Sequence, residues 1–238
     1  MKNQVNTTNL TSFFRKRKRP SGAQRRKAKR AKRYKIVGTP SARKPQSSIS
    51  HHHRSKRRSL TYSFCNIRGL SKNVDSVHHF LQVYNPDILF LTETQVSPST
   101  SSNHLACPGF EFHQKFRPKG GVCAYVRNTI SASREQQLES SDFDVMWMKI
   151  RMPSHLAFVC SVYRSPNDSN HAQMFEHLSS QIDHINQRYP SAEVIILGDF
   201  NVHNKSWLTH SNKTDPEGIM AEHFAISHNL TQLVNEPT

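Results

Sequence analysis

The stretch Glu193–Asn201, EVIILGDFN, joins an apolar run to a polar end. Val194 to Leu197 contains no polar residue, which is typical of a strand that is buried on both faces of a sheet. Gly198, Asp199 and Asn201 follow directly, and two positions of extended chain place the Asp and Asn side chains on the same side. A central strand with a functional end is therefore predicted, although a capping or turn role would explain Asp199 taken alone.

Three other apolar runs end in the same way. They are Tyr62–Cys65 before Asn66, Asp87–Thr92 before Glu93, and Leu156–Val162 before Tyr163 and Arg164. Singly, Glu93 is explained as a solvated loop carboxylate, Asn66 as a turn residue and Tyr163 as a half-buried core aromatic. Together, strands packed in register would bring these ends to one rim. Oxygens and amides without thiolates or a His pair favour Mg²⁺ over zinc there.

The rest of the chain after residue 60 alternates strands with a few amphipathic helices. Apolar residues at helical spacing predict helices from Ser71 to about Val83, around Met174–Ile185, and after Asp215. Gly120-Gly121 predicts a hairpin or bulge, because it lacks the spacing of a phosphate-cradling loop. Many strands with helices outside them indicate a mixed α/β sandwich.

The basic charge of the protein is concentrated at its N-terminus. Residues 1–60 hold 20 of the 33 Lys and Arg and none of the 17 Asp and Glu. We expect residues 1–59 to form a disordered basic tail. Its clusters at 15–19 and 25–33 resemble a bipartite nuclear import signal, and Lys and Arg blocks bind nucleic-acid phosphates. The predicted contacts are Lys16, Arg17, Lys18, Arg26, Lys27 and Arg30. A translated leader without a selected role is the competing explanation.

Several classes of protein are disfavoured by composition. The four cysteines form no CxxC pair and have no zinc-site spacing, which fits a reducing compartment. There is no apolar run of about 18 residues and no secretory signal. We therefore expect a nuclear protein that has neither a membrane partner nor a small-molecule cofactor.

The motifs, in their order and spacing, resemble the endonuclease/exonuclease/phosphatase superfamily over residues 61–238. They are Asn66 in CNIRGL, Glu93 in LTETQ, Gly120-Gly121 in GGVCAYVR, Tyr163-Arg164 in SVYRSP, and Asp199 and Asn201 in GDFN. The segment after GDFN is similar to the non-LTR retrotransposon branch in particular, through His203, Trp207, Gly218, His228 to Leu230, and Asn235 to Thr238.

The resemblance implies that residues 60–238 form a four-layer α/β sandwich of two packed, mainly antiparallel sheets flanked by helices. It implies a DNA-nicking endonuclease that hydrolyses phosphodiesters with Mg²⁺ (or Mn²⁺). Glu93 would bind the metal with Asn66 beside it, Tyr163 would contact the phosphate, and Asp199 would orient or deprotonate the attacking water. Asn201 would hold the pentacoordinate phosphate. Arg68 and Arg164 are the predicted DNA contacts of the domain.

One family element has no counterpart in this sequence. Nothing after Asn201 matches the family's late Ser-Asp-His motif, so we expect a domain that is incomplete at the C-terminus and a weak or inactive nuclease. A reverse transcriptase domain would then follow downstream, outside this chain. The alternatives are a catalytically inactive, nucleic-acid-binding remnant of that domain and an unrelated basic nuclear protein.

Overall fold

A computed structural model describes residues 60–234 and the backbone of residues 11–16, which belong to one compact unit. The strands described are β1 (Thr11–Lys16), β2 (Tyr62–Asn66), β3 (Ile88–Thr92), β4 (Phe110–Lys115), β5 (Val122–Arg127), β6 (Ala132–Arg134), β7 (Asp144–Arg151), β8 (Leu156–Tyr163), β9 (Glu193–Asp199) and β10 (Leu230–Gln232). They form a six-stranded sheet in the order β10-β1-β9-β8-β7-β6 and a four-stranded sheet in the order β2-β3-β5-β4.

Two strand pairs are parallel, one in each sheet, and the other pairs are antiparallel. In the small sheet β2 pairs with β3, so that Asn66 lies opposite Thr92. In the large sheet β8 pairs with β9, so that Tyr163 lies opposite Asp199. Because parallel strands end at the same edge, each pair presents its polar end residues together. This is the arrangement that the four polar strand ends predict.

Apolar side chains fill three interfaces, and the fold has four layers. Between the sheets lie, among others, Phe90, Met146, Met148, Ile195 and Leu197. The alternate residues of β7 and β9 face the opposite way, so that Trp147 and Ile196 pack with Leu178 and Phe224 of the flanking helices. A third cluster lies on the outer face of the small sheet. The predicted four-layer sandwich is confirmed, and Val194–Leu197 of EVIIL is buried on both faces, whereas Glu193 at its start is half-buried.

The helices cover the outer faces of the two sheets. They are α1 (Val74–Tyr84), α2 (Ser102–Leu105), α3 (His171–Arg188) and α4 (Pro216–Ser227). A short 3₁₀ turn at Leu70–Lys72 precedes α1, so this helix begins three residues after the predicted Ser71 start. Asp215 caps α4 by accepting the Gly218 N–H at 2.8 Å. None of the helices within residues 60–234 is long and apolar enough to cross a membrane.

The six residues Thr11–Lys16 form the strand β1, whereas the sequence predicted a disordered tail there. Its backbone pairs antiparallel with β9, with Thr11 opposite Asp199, and with β10 on its other side. The sequence TSFFRK begins with residues that favour strands, and an open edge of a sheet offers unpaired backbone groups to such a segment. The remaining predicted tail contacts, namely Arg17, Lys18, Arg26, Lys27 and Arg30, lie outside the described residues.

Candidate active site

The side-chain amide of Asn66 joins two carboxylates from the two sheets. Its Nδ2 donates to Glu93 Oε1 at 2.6 Å and to Asp199 Oδ2 at 3.0 Å. Both hydrogens of the amide are thus used, and its orientation is fixed. Asn66 Oδ1 is buried and has no hydrogen-bond partner within the part of the chain that the structure describes. The amide therefore presents a free oxygen ligand beside two carboxylates.

Asp199 is the more buried of the two carboxylates, with 2% of its surface exposed. Burial raises the pKa of Asp199, and the nearby Glu93 charge raises it further. Hydrogen bonds from the Asn66 amide and from the Asn201 N–H lower the pKa of Asp199 and so limit this rise; the Asn201 N–H donates to Asp199 Oδ1 at 3.2 Å. A carboxylate whose pKa is raised toward neutrality is a better proton acceptor than an exposed one.

Tyr163 lies beside the same carboxylates at the end of β8. It is 8% exposed and is opposite Asp199 in the parallel register. Burial raises the pKa of Tyr163, as do the adjacent carboxylates of Glu93 and Asp199. Its hydroxyl therefore stays neutral and remains a hydrogen-bond donor at physiological pH.

Asn201 and Arg164 are tied to each other across the ends of β8 and β9. Asn201 has a left-handed backbone with φ of 48°, and its Nδ2 donates to the Arg164 carbonyl at 2.7 Å. The Arg164 guanidinium donates from Nε to Phe200 O at 2.7 Å and from Nη2 to Asn201 O at 2.5 Å. Arg164 is only 3% exposed. The structure thus gives Arg164 backbone partners in place of the predicted DNA contact.

Glu93 is positioned by its backbone as well as by Asn66. Its φ of 50° is left-handed, which is rare for a glutamate. The next two N–H groups donate to the Gly pair, Thr94 N to Gly121 O at 3.3 Å and Gln95 N to Gly120 O at 2.9 Å. A Cβ at Gly121 would lie 2.6 Å from Thr94 Oγ1. Gly120-Gly121 thus lets the Glu93 loop approach closely, a role that the hairpin prediction did not include.

A polar cavity of about 260 Å³ adjoins Tyr163. Its lining includes Arg117, Lys119, Asp144, Tyr163, Asn167 and Asp168. Apart from Tyr163, the sequence analysis did not identify these residues, although two basic residues just before Gly120-Gly121 and a carboxylate at the first position of β7 were available signals. Of the other predicted contacts, Arg68 is exposed two residues beyond Asn66, and Lys16 ends β1.

The oxygen atoms at this rim fit a hard divalent cation that takes its remaining ligands from water and substrate. Residues 60–234 contain no group of three or more His, Cys, Asp or Glu placed to bind a metal. Zinc sites usually need three or four such ligands, whereas Mg²⁺ is bound by one or two carboxylates together with waters and substrate phosphate. The Glu93 carboxylate and the unpartnered Asn66 oxygen supply that smaller set.

A comparison with protein families matches residues 64–227 to the Endonuclease/Exonuclease/phosphatase family. The chain is also similar to the RNA-directed DNA polymerase from mobile element jockey of Drosophila funebris. The identity is 23% over 144 residues, which are 59% of this chain and 14% of that relative. The chain thus spans a small part of that polymerase.

Solved structures share the fold. The endonuclease domain of TRAS1, a telomere-specific non-LTR retrotransposon, superposes with a TM-score of 0.54 at 16% identity, covering 76% of each chain. The AP endonuclease LMAP from Leishmania major gives 0.57 at 15% identity, covering 71% of this chain and 67% of its own. These matches and the family match confirm the resemblance to the superfamily that the motifs indicated. The chain belongs to the Endonuclease/Exonuclease/phosphatase family.

Proposed function

We propose that this domain hydrolyses phosphodiester bonds of DNA with the help of a divalent metal, as the nicking endonuclease of a retrotransposon. The observation that carries the proposal is the Asn66 amide, which holds Glu93 and Asp199 together from two different sheets. Two carboxylates brought into one hydrogen-bonded group repel each other, so their proximity costs stability. A site that requires both of them explains why they are placed together.

Glu93 and Asn66 Oδ1 would hold Mg²⁺ (or Mn²⁺) at the rim. The metal, when bound, supplies positive charge to a phosphoryl oxygen and thus favours attack at phosphorus. The Asn66 nitrogen keeps the Glu93 carboxylate oriented for this purpose. Water and the substrate would provide the remaining ligands.

Asp199 is the group that would orient or deprotonate the attacking water. Its burial favours this role, because a raised carboxylate pKa improves proton acceptance, and positioned bases typically contribute about 10²–10⁴ in rate. The neutral Tyr163 hydroxyl would donate to the phosphate. The Asn201 backbone conformation would set its side chain against the same group.

DNA is the substrate that the relatives suggest. One is a mobile-element polymerase, and another is the endonuclease domain of a telomere-specific retrotransposon. We propose that a reverse transcriptase accompanies this domain and that both act in the nucleus. The exposed Arg68 beside the rim fits the negative charge of a DNA backbone.

A plasmid-nicking assay tests the proposal. Supercoiled DNA is incubated with the wild-type chain and with Asp199→Asn, in Mg²⁺ and in chelator. We expect slow, metal-dependent nicking by the wild type and a loss of about 100-fold or more in Asp199→Asn. Asp183→Asn is the matched control, because that side chain is 73% exposed on α3. Equal nicking by wild type and Asp199→Asn would overturn the assignment.

A further inference from the structure

We infer that Arg164 is a positioning residue, whose buried guanidinium holds the Asp199–Asn201 turn in the shape that the site requires. The inference rests on the proposed function, because it concerns how the same site is aligned. It replaces the DNA contact that the sequence suggested for this arginine. What supports it is a set of contacts between the end of β8 and the turn after β9.

Arg164 donates to three consecutive carbonyls of the turn. Its backbone N–H reaches Asp199 O at 2.9 Å, while Nε reaches Phe200 O at 2.7 Å and Nη2 reaches Asn201 O at 2.5 Å. In return, Asn201 Nδ2 donates to the Arg164 carbonyl at 2.7 Å. The two residues therefore close a ring of hydrogen bonds around the end of the strand pair.

An arginine suits this arrangement better than any other residue. Its planar guanidinium presents two donors in a fixed fork, whereas lysine offers a single nitrogen on a flexible stem. Two adjacent carbonyls of a turn need such a fork when water cannot reach them. Phe200, which supplies one of these carbonyls, is 1% exposed.

The contacts act on two residues of the proposed mechanism. Asn201 has the left-handed φ of 48°, and its amide is held at the Arg164 carbonyl. The Asn201 N–H in turn donates to Asp199 Oδ1 at 3.2 Å. A shift of the turn would therefore move both side chains away from the rim, while Glu93 and Asn66 would keep their own backbone supports.

Burial argues against contact between Arg164 and DNA. The residue is 3% exposed, and even its remaining nitrogen, Nη1, is buried and without a partner in the described part of the chain. Arg68, in contrast, is exposed near the same rim. The two arginines should therefore respond differently to substitution.

Kinetics of nicking on a short DNA duplex separate the two roles. Arg164→Met should lower kcat by about 100-fold, the cost of a misplacement of about 1 Å, with KM and the salt dependence of binding unchanged. Arg164→Lys should recover part of the loss. Arg68→Met should instead raise KM and reduce the salt slope by about one. The exposed Arg151→Met is the control and should match wild type.

A measurement that needs no activity tests the geometry separately. In nitrogen-15 NMR spectra, the Asn201 side-chain amide should shift and exchange faster in Arg164→Met and Arg164→Lys. The Asn73 amide, which donates to Gly69 O at 2.8 Å, should stay unchanged. If wild type fails to nick DNA but these shifts occur, the proposed function fails and the positioning role stands.

Three results would overturn the inference. The first is an unchanged Asn201 amide in Arg164→Met. The second is a loss confined to KM together with a reduced salt slope, because that indicates a DNA contact. The third is unfolding of Arg164→Lys, which retains a buried cation, because it would show that the arginine supports the whole fold and not the turn.

Discussion

Asn66 and Asp199 lie 133 residues apart in the chain, and the Asn66 side-chain nitrogen donates to Asp199 Oδ2 at 3.0 Å. This bond connects β2 of the small sheet to β9 of the large sheet. The candidate site therefore exists only when the two sheets are packed together. Stability and site geometry are coupled at this one amide.

Asn66→Asp removes the donor at nearly constant size and places a third carboxylate at the rim. We expect the free energy of unfolding to fall by about 1–3 kcal/mol without metal, because the Glu93 and Asp199 carboxylates each lose the hydrogen bond that the Asn66 amide donates. Added Mg²⁺ should recover part of that loss, because the cation offsets the added charge. Urea denaturation at several Mg²⁺ concentrations measures both effects.

Asn73→Asp is the matched control for that variant. Asn73 also donates from its amide, to Ile67 O at 3.2 Å and Gly69 O at 2.8 Å, but its acceptors are backbone carbonyls and not carboxylates. Its loss of stability should not depend on Mg²⁺. A Mg²⁺ response of the same size in both variants would contradict a metal site at Asn66.

Gly198→Ala should disrupt the alignment of β8 with β9. A Cβ at this position would lie 1.9 Å from the Val162 carbonyl oxygen, a backbone atom that cannot move aside. We expect a loss in unfolding free energy of about 1–3 kcal/mol or more by chemical denaturation. Gly109→Ala, where a Cβ meets nothing within 4 Å but φ is 87°, should show the smaller cost of backbone strain alone. Equal losses in the two would contradict the steric argument.

Asp144→Asn should stabilise the protein at neutral pH. Burial raises the pKa of Asp144, and the Asp168 charge adds to the rise, while Arg117, the Gly121 N–H and Lys115 oppose it. The pKa of Asp144 in the folded state lies above the unfolded value of about 3.9. Ionisation of Asp144 therefore lowers stability as pH rises from the unfolded pKa to the folded one. The difference in unfolding free energy between Asp144→Asn and wild type should therefore be positive near pH 7 and vanish below about pH 4. A difference in unfolding free energy that does not change with pH, or that falls as pH rises, would contradict a raised pKa of Asp144.

The basic tail should contribute to DNA affinity without regard to sequence. Replacing Arg26, Lys27 and Arg30 by Gln should reduce the slope of log K against log salt by roughly 3. The same variant, fused to a fluorescent reporter, should lose nuclear accumulation. Binding isotherms at several salt concentrations and imaging measure the two effects.

A control of the same composition uses Arg151, Arg188 and Lys213, which are exposed in the folded domain. Their replacement by Gln should leave localisation unchanged and alter the salt slope less. If both triple variants behave alike, the tail clusters have no special role.

The convergence of the strand ends could be predicted from sequence because it depends on strand direction and on the packing of the two sheets, not on individual side-chain contacts. Parallel pairing of β2 with β3 and of β8 with β9 places each pair of polar ends at one edge, and packing of the two sheets brings the pairs together. Each of these ends follows an apolar run. Burial of Val194–Leu197 on both faces was predictable because this run contains no polar residue. Which of these residues perform chemistry stays a prediction.

The direction of side chains just beyond the strands could not be predicted. Arg164 turns inward because the carbonyls after β9 need donors, and that need is visible only once the turn is formed. Lys115 is a similar case, since it donates to Phe143 O at 2.7 Å and Val145 O at 3.2 Å, up to 30 residues away. Burial lowers the pKa of that lysine. The pairing of β1 with β9 is equally non-local.

Binding of Mn²⁺ at the rim tests the central claim most directly. Mn²⁺ is added to the nitrogen-15-labelled chain, and paramagnetic broadening is recorded for wild type, Glu93→Gln and the exposed control Glu176→Gln. We predict that the Asn66 side-chain amide broadens first, that Mg²⁺ competes, and that Glu93→Gln weakens the effect about tenfold or more while the control does not. Broadening at the rim that is unchanged by Glu93→Gln, or absent there in wild type, would contradict the account.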